Sequence, residues 1–299
     1  MGRRIPMQHD VRIVYQAWHD LMVERHLIRP ATEQEIAAAK WVLHHIPILK
    51  RDATPPFTVK SYRFTLNAVP MNPAIKPAED LLPPTHDEIR DFCNGKTIFS
   101  VLDLQNFFYN IPADYTNTRA VHSCRGRWYV YQCVIQGERN APAAAHRVVV
   151  TAVGDMISAS EAIVHVDDVL LGATTPAAMH ALLRKFFDRI MAYGLKVNNK
   201  CILCRPLVRY LGMMIHANGV EPDLLRYNAV LLWPTPTTRK RVRSYVGFAK
   251  YFQRWTPRAS TVLAPLLDLA NGTGKFTWTD EAQRSFDDSR ALIVQATHL

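Results

Sequence analysis

Cysteine is scarce in this chain, and long apolar runs are absent. Five cysteines among 299 residues are too few and too scattered for a disulfide scaffold, and they fit a reducing compartment. Cys201 and Cys204 form a lone CxxC pair, which we interpret as two strand thiols because a zinc site needs further ligands. The longest weakly polar stretch, residues 141–169, is interrupted by charged residues and cannot supply the roughly 18–20 apolar residues of a membrane span. We therefore expect no membrane partner.

Acidic residues are outnumbered by basic ones. The 36 lysines and arginines exceed the 26 acidic residues, which gives a formal net charge of +10. A chain this basic usually faces phosphate or an acidic membrane surface, although charge alone decides neither. Eight of these cations, and no acidic residue, lie within residues 226–258. With 48% apolar residues the chain can also bury a core.

The apolar periodicity predicts helices at both ends and an interleaved middle. Helices are expected before Pro30 and over residues 33–44, 87–93, 142–159 and 176–193, and a helical region with proline breaks from about residue 227. Strands are expected over 57–66 within a proline-rich loop, over 97–103 and 127–135, on both sides of Asp167 and Asp168, and around turns at 198–199 and 217–219. This order predicts an α+β fold.

Three aspartates interrupt apolar strands. Asp103 ends the run Phe99-Ser-Val-Leu, and Asp167 and Asp168 separate two short apolar arms. Ionised carboxylates in apolar surroundings are costly unless something neutralises them, so a divalent metal is indicated if the three meet. Two such ions about 3.5–4 Å apart are the usual apparatus of in-line phosphoryl transfer. A lone Asp-Asp string is more often a solvated turn, and this alternative stays open on the residues alone.

Several segments, in this order, resemble reverse transcriptases of gypsy-type LTR retrotransposons. The run 99–111 resembles their first catalytic motif, and His165-Val-Asp-Asp resembles their aromatic-x-Asp-Asp motif. Gln136-Gly-Glu-Arg-Asn-Ala-Pro resembles the turn before the palm helix, and Leu66-Asn67 resembles an element of the fingers. Further segments resemble the later palm strands, the thumb and the stretch before an RNase H domain: 193–198, 209–215, 233–237, 243–255 and 276–283.

The resemblance implies a right-hand fold with fingers, an antiparallel-sheet palm and a helical thumb. Residues 1–98 would be fingers, 99–219 palm, with part of the fingers within 113–140, and 220–299 thumb. We recognise no RNase H, protease or integrase domain, and expect either a cut-down element product or a segment of a longer polyprotein. The implied activity is RNA-directed DNA synthesis from deoxynucleoside triphosphates on a primed RNA or DNA template.

The resemblance also implies roles for individual residues. Asp103, Asp167 and Asp168 would hold two Mg²⁺ or Mn²⁺ ions. Phe108 would exclude a ribose 2′-hydroxyl, which argues against an RNA polymerase with the same palm. Gln136 would face the incoming nucleotide, and Lys200 would protonate pyrophosphate or be a solvated turn lysine. Arg63 is the first candidate to grip the triphosphate, with Lys50 and Lys60 as alternatives.

The nucleic-acid contacts are expected near the C-terminal end. Leu211 and Gly212 fall in the segment that resembles the primer grip. The aromatics of 245–255 recur at helical spacing, and we favour a packing face over base stacking. The remaining expected contacts are basic residues, four of them at a helix start where cations oppose the macrodipole: Arg239, Lys240, Arg241, Arg243 and Lys250.

Departures from the family pattern leave a second hypothesis open. His165 stands where the family has Tyr or Phe, Phe107 stands where it generally has a small residue, and Glu138-Arg139 is unusual in its turn. The fingers also lack the Asp and Arg that normally precede Leu66-Asn67. These features favour a catalytically degenerate, reverse-transcriptase-derived nucleic-acid-binding protein, whereas the intact aspartates disfavour it.

Overall fold

Helices and strands alternate through most of the chain in the computed structural model, which describes residues 7–78, 81–115, 120–256 and 258–296. The helices are α1 (His9–Glu24), α2 (Glu33–Ala38), α3 (His86–Cys93), α4 (Ala141–Ser158), α5 (Pro176–Ala192), α6 (Leu224–Leu231), α7 (Arg239–Ala249), α8 (Ala259–Asn271) and α9 (Asp280–Ala296). The strands are β1 (Ile28–Pro30), β2 (Trp41–Leu43), β3 (His45–Leu49), β4 (Tyr62–Leu66), β5 (Ile98–Asp103), β6 (Ala120–Cys124), β7 (Arg127–Tyr131), β8 (Ala162–His165), β9 (Asp168–Ala173), β10 (Ile202–Arg205), β11 (Leu207–Tyr210), β12 (Met213–His216) and β13 (Gly219–Pro222).

The chain divides into two compact units. The first comprises Met1–Pro83, Leu102–Val169 and Arg184–Cys201, and the second comprises Pro84–Val101, Leu170–Leu183 and Ile202–Leu299. A four-stranded sheet has the strand order β10-β5-β9-β8.

The first unit is built on a sheet of order β1-β7-β6-β2 and the antiparallel pair β3-β4. Its core gathers side chains of α1 with side chains of the strands, among them Tyr15, Trp18, Leu43 and Phe64. The hairpin of β6 and β7 turns through Arg125 and Gly126, both at positive φ. The expected helix before Pro30 and the expected strand at 127 are thereby confirmed as α1 and β7.

The helix predicted over residues 33–44 is too long. A capping box between Thr32 and Glu35 starts α2, but the helix ends at Ala38 and the chain continues as strands β2 and β3. The reason is tertiary pairing, because β2 forms a parallel ladder with β6 in which Trp41 lies opposite Ala120. Sheet hydrogen bonds satisfy the backbone there, and Pro47 in β3 is incompatible with a helix interior.

The second unit contains the sheet β11-β12-β13 and the helices α6 to α9. Tyr245 and Phe252 are fully buried in its helical core, and Phe248 and Tyr251 are partly buried against it. The Tyr245 hydroxyl also pairs with Ser289 Oγ of α9 at 2.6 Å. The aromatics of 245–255 therefore form a packing face, as the sequence predicted. In the described residues, no helix has both the length and the apolar character needed to cross a bilayer.

Three buried histidines lie in the core of the first unit. His45 pairs through Nδ1 with the Tyr15 hydroxyl at 2.9 Å and through Nε2 with the Tyr131 hydroxyl at 2.6 Å. His19 Nε2 lies 3.3 Å from His122 Nε2. Burial lowers the pKa of His19 to about 4 and that of His45 to about 3, and it holds the pKa of His122 well below its ordinary value. These imidazoles are neutral in the folded protein at pH 7.

We predict that this cluster makes the protein acid-labile. An unfolded histidine takes up a proton near pH 6.5 whereas folded His19 does so only near pH 4, so the unfolded chain binds more protons as the pH falls between these values. Stability is present above pH 6.5 and decreases by at most about 3 kcal/mol through this residue down to pH 4. The difference between the calorimetric melting temperatures at pH 7 and pH 5 should be smaller in His19→Gln than in the wild type. An unchanged pH slope in this variant would contradict the assignment.

Candidate functional site

Asp103 ends a largely buried strand. Phe99, Ser100 and Leu102 of β5 are fully buried, and Asp103 is half-buried where the strand stops. Because side chains alternate along a strand, Ser100 and Asp103 lie on opposite faces of β5. The Ser100 hydroxyl accepts a hydrogen bond from the backbone amide of Cys204 at 3.0 Å. An apolar strand thus carries a carboxylate to the edge of the buried region.

Asp167 and Asp168 sit at the turn of the β8–β9 hairpin. Val166 begins this turn with φ +57°, which is strained for a β-branched residue. His146 of α4 accepts a hydrogen bond from the Val166 amide at 3.2 Å and thereby holds the turn. The Asp167 carbonyl in turn accepts from the amide of Leu104 at 3.3 Å, which brings the hairpin beside the residue that follows Asp103.

The three carboxylates influence one another electrostatically. Burial and the negative charge of Asp167 raise the pKa of Asp103, against the opposing effects of Lys200 and Asn198. Burial, then Asp167 and Asp103, raise the pKa of Asp168 to about 6. The structure therefore places the sequence-predicted aspartates close enough for each to sense the others' charge.

This donor set fits a hard divalent cation. Carboxylate oxygens are the ligands that Mg²⁺ and Mn²⁺ prefer. Burial first, and then the charges of Asp167 and Asp103, raise the pKa of Asp168, and a bound cation would offset both effects by stabilising the ionised carboxylate. In the parts of the chain that the structure describes, no three His, Cys, Asp or Glu side chains are already drawn together as a closed metal site. Mutual repulsion of like charges disfavours such closure by the carboxylates alone.

Lys200 and Asn198 flank the carboxylates in the turn before β10. Lys200 is exposed, and its charge acts on Asp103. Asn198 donates from Nδ2 to Asp103 Oδ2 at 3.0 Å. Asn198 lies in the segment 193–198 that resembles a later palm strand, but the sequence predicts no individual role for it. Nothing in the sequence around Asn198, four residues after Gly194, indicates that its side chain contacts Asp103.

Phe108 lies in a short 3-10 turn, Phe107–Asn110, directly after β5. Phe108 is half-buried, whereas Phe107 is buried and its ring centre lies 5.7 Å from that of Phe108. Phe107, which stands where the family generally has a small residue, is thus buried in the structure. The next residue, Tyr109, is close enough to Arg63 of β4 for the arginine charge to oppose the rise of its pKa. Arg63 therefore lies near the short turn that contains Phe108.

Lys50 and Lys60, the alternatives to Arg63, lie at the two ends of a loop that a hydrogen bond between them closes. Lys50 donates from Nζ to the carbonyl of Lys60 at 2.7 Å, and both residues are exposed. Arg63 is exposed as well and stands opposite Ile48 in the β3–β4 pair. Lys50 thus closes the loop, whereas the charge of Arg63 acts on Tyr109.

Gln136 begins a turn that is clamped from two sides. Gln136 itself is half-buried, and Gly137 follows with φ +99°. Asn72 Nδ2 donates to the Gly137 carbonyl at 2.9 Å, and its Oδ1 accepts from the Arg139 amide at 3.0 Å. Asn140 binds the backbone of Lys76 and Ala78 in the same manner. Neither asparagine was assigned a role from the sequence.

The expected primer-grip residues form a strained turn in the second unit. Leu211 and Gly212 connect β11 to β12 with φ +46° and +79°. The hydroxyl of Tyr251 donates to the Gly212 carbonyl at 2.5 Å. The turn is thus held in one orientation by the helical part of the same unit.

The cations of α7 and Lys250, which follows it, divide into two sets. Arg239 donates to the carbonyls of Leu269 and Gly274, at 3.2 and 2.8 Å, and Arg243 donates to that of Ala270 at 2.8 Å. Since the last carbonyls of a helix lack intrahelical partners, these two arginines cap the C-terminal end of α8. Lys240, Arg241 and Lys250 are exposed, and Arg241 also binds the Thr237 hydroxyl at 2.9 Å.

The reverse transcriptase (RNA-dependent DNA polymerase) family matches residues 49–215, more than half of the chain. The chain belongs to this family. It is similar to the retrovirus-related Pol polyprotein from transposon 412 of Drosophila melanogaster, with 24% identity over 95% of this chain and 22% of that protein. The Pol polyprotein from transposon 297 of the same organism is 24% identical over 71% of the chain and 20% of that protein, and the Gag-Pol polyprotein of koala retrovirus is 26% identical over 73% and 13%. The chain thus spans about a fifth of these curated relatives or less.

Solved structures show the same fold for this reverse transcriptase chain. The foamy viral protease-reverse transcriptase dRH in complex with double-stranded DNA superimposes with a TM-score of 0.83, at 20% identity over 98% of this chain and 50% of that one. The same viral enzyme with an RNA/DNA hybrid gives a TM-score of 0.79, at 20% identity over 98% and 38%. The expected α+β polymerase fold and the gypsy-type, retroviral-like relationship are confirmed.

We predict that Gly137 cannot be replaced without strain. A Cβ at this position would lie 3.0 Å from the carbonyl oxygen of Leu66, and the substituted residue would have to keep the positive φ of Gly137. Gly137→Ala should therefore lower the melting temperature by roughly 2–8 °C. Gly126→Ala is the matched control, because its φ is also positive but no atom lies within 4 Å of the added carbon. Equal losses in the two variants would show that contact with Leu66 contributes nothing.

Proposed function

We propose that this chain is an RNA-directed DNA polymerase that adds deoxynucleotides to the 3′-end of a primer. The observation that carries the proposal is the electrostatic coupling of Asp103, Asp167 and Asp168 at adjoining strand ends. Family membership supports it, and so does the fold shared with a viral enzyme solved with nucleic acid. The fingers correspond to residues 1–98 with part of 113–140, the palm to 99–219 and the thumb to 220–299.

Asp103, Asp167 and Asp168 hold two divalent ions, Mg²⁺ or Mn²⁺, in this proposal. When bound, the ions would lower the pKa of the primer 3′-hydroxyl and neutralise charge on the leaving pyrophosphate. Lys200, which is exposed and whose charge acts on Asp103, would give a proton to pyrophosphate. Arg63 binds the triphosphate of the incoming nucleotide, Gln136 contacts that nucleotide, and Phe108 excludes a 2′-hydroxyl.

Primer extension on poly(rA)/oligo(dT) with Mg²⁺ or Mn²⁺ tests the activity. Asp103→Asn and Asp167→Asn should each lower the rate roughly a thousandfold or more, because several kcal/mol of transition-state stabilisation depend on the ions. Asp188→Asn, an exposed position of α5, is the control and should leave the rate unchanged. A wild-type chain that binds the duplex but extends nothing would overturn the proposal in favour of a degenerate binding protein.

The template and primer bind through the sequence-independent contacts of a basic surface. Lys240, Arg241 and Lys250 are exposed cations that can meet backbone phosphates. Leu211 and Gly212 contact the primer strand from their turn. Arg239 and Arg243 stabilise α8 through its last carbonyls and add to the positive field at the same time.

Two variants that each remove one positive charge distinguish a cation that binds nucleic acid from one that caps α8. Lys240→Ala should reduce the slope of log K against log salt concentration by about 0.7–1 for an RNA/DNA hybrid, with an unchanged melting temperature. Arg239→Ala should instead lower the melting temperature by roughly 2–4 °C, since two carbonyls lose a charged donor. Filter binding at several salt concentrations and calorimetry measure both effects. Identical behaviour of the two variants in both assays would contradict the division.

A further inference from the structure

The end of β5 is wrapped by the turn that precedes β10. The Asn198 amide donates to the carbonyl of Asp103 at 2.7 Å, and the Asp103 amide donates to Sγ of Cys201 at 3.4 Å. The Cys201 amide donates to the Asn198 carbonyl at 3.4 Å and closes the turn on itself. One residue on, Leu104 forms a bridge with Val197. The backbone of Asp103 is therefore fixed on both its donor and its acceptor side.

The side chain of Asn198 has only one orientation that satisfies its neighbours. Its Oδ1 accepts from the amide of Lys200 at 3.3 Å, and a backbone amide can only donate. The opposite end of the side chain, Nδ2, must then face Asp103 Oδ2, where it lies at 3.0 Å. The turn thus presents a donor, and not an acceptor, to the carboxylate.

We propose that Asn198 is a positioning residue that fixes the rotation of the Asp103 carboxylate for cation binding. The bond engages one lone pair of Oδ2 and leaves Oδ1 and the remaining lone pair of Oδ2 for the ions. A fixed carboxylate needs no reordering when a cation arrives, so the bond favours binding without contact between Asn198 and substrate. The inference rests on the proposed function of the carboxylates as metal ligands.

Replacement of Asn198 should weaken cation binding while the turn stays in place. The bond between the Asn198 amide and the Asp103 carbonyl is made by the backbone, so it persists in Asn198→Ala and in the similarly sized Asn198→Leu. Loss of an outer partner of a metal ligand typically weakens metal affinity 10–100-fold. Asn199→Ala is the matched control, because Asn199 is the adjacent, exposed residue of the same turn.

The test uses the full chain and Mn²⁺ alone, titrated by electron paramagnetic resonance, together with primer extension. We expect the Mn²⁺ dissociation constant to rise 10–100-fold in both Asn198 variants and to stay within twofold in Asn199→Ala. Extension should show a lower kcat at limiting Mn²⁺ that recovers at high Mn²⁺, with an unchanged KM for the primed template. The melting temperatures of the two Asn198 variants verify that they fold.

The outcomes separate this inference from the function on which it rests. Unchanged Mn²⁺ affinity in folded Asn198 variants of an active chain would overturn the positioning role and leave the polymerase proposal standing. A loss of kcat that high Mn²⁺ does not restore, with unchanged Mn²⁺ affinity, would also overturn it. A wild-type chain that neither binds Mn²⁺ nor extends a primer would overturn both.

Discussion

Repulsion among three carboxylates is the constraint on which the arrangement of this chain depends. Asp103 and Asp168 are partly buried, each has a raised pKa, and Asp167 contributes to both shifts. Such proximity of like charges opposes folding unless the surrounding backbone fixes the strand ends independently of the side chains. Buried apolar residues of β5 and β9 supply that fixation, since Phe99, Leu102 and Leu170 are fully buried.

The loops at the site show the same need for fixation. Val166 keeps a strained left-handed backbone that His146 holds through the Val166 amide, and the turn from Asn198 to Cys201 binds both backbone polar groups of Asp103. Strain of about 1–3 kcal/mol at one residue persists only where neighbouring contacts over-determine the conformation. A site that must bring like charges together is therefore held largely by contacts to the backbone, and Asp103 gives up only one lone pair of Oδ2, to Asn198.

Sequence reasoning reached the parts of this structure that local patterns encode. The aspartates are recognisable because they interrupt apolar strands, and the hairpin at Asp167 and Asp168 follows from the two arms around it. Strand β2 was mistaken for helix because its partner β6 lies far along the chain and only the fold brings them together. The contact of Asn198 was not predicted for a similar reason. An asparagine in a turn carries no sign of its partner, and only the fold brings the end of β5 beside it.

Charge composition alone also could not assign the cations of α7. Arg239, Lys240, Arg241 and Arg243 cluster where cations oppose the helix macrodipole, and the sequence predicts phosphate contacts for all four on that ground. The structure separates them by reach, because Arg239 and Arg243 satisfy carbonyls at the end of α8 whereas Lys240 projects into solvent. An arginine that caps a neighbouring helix keeps its full charge. The same residues therefore stabilise the helical core and contribute to the positive field, and their bonds to the carbonyls of α8 offset the unfavourable position of cations at this helix start.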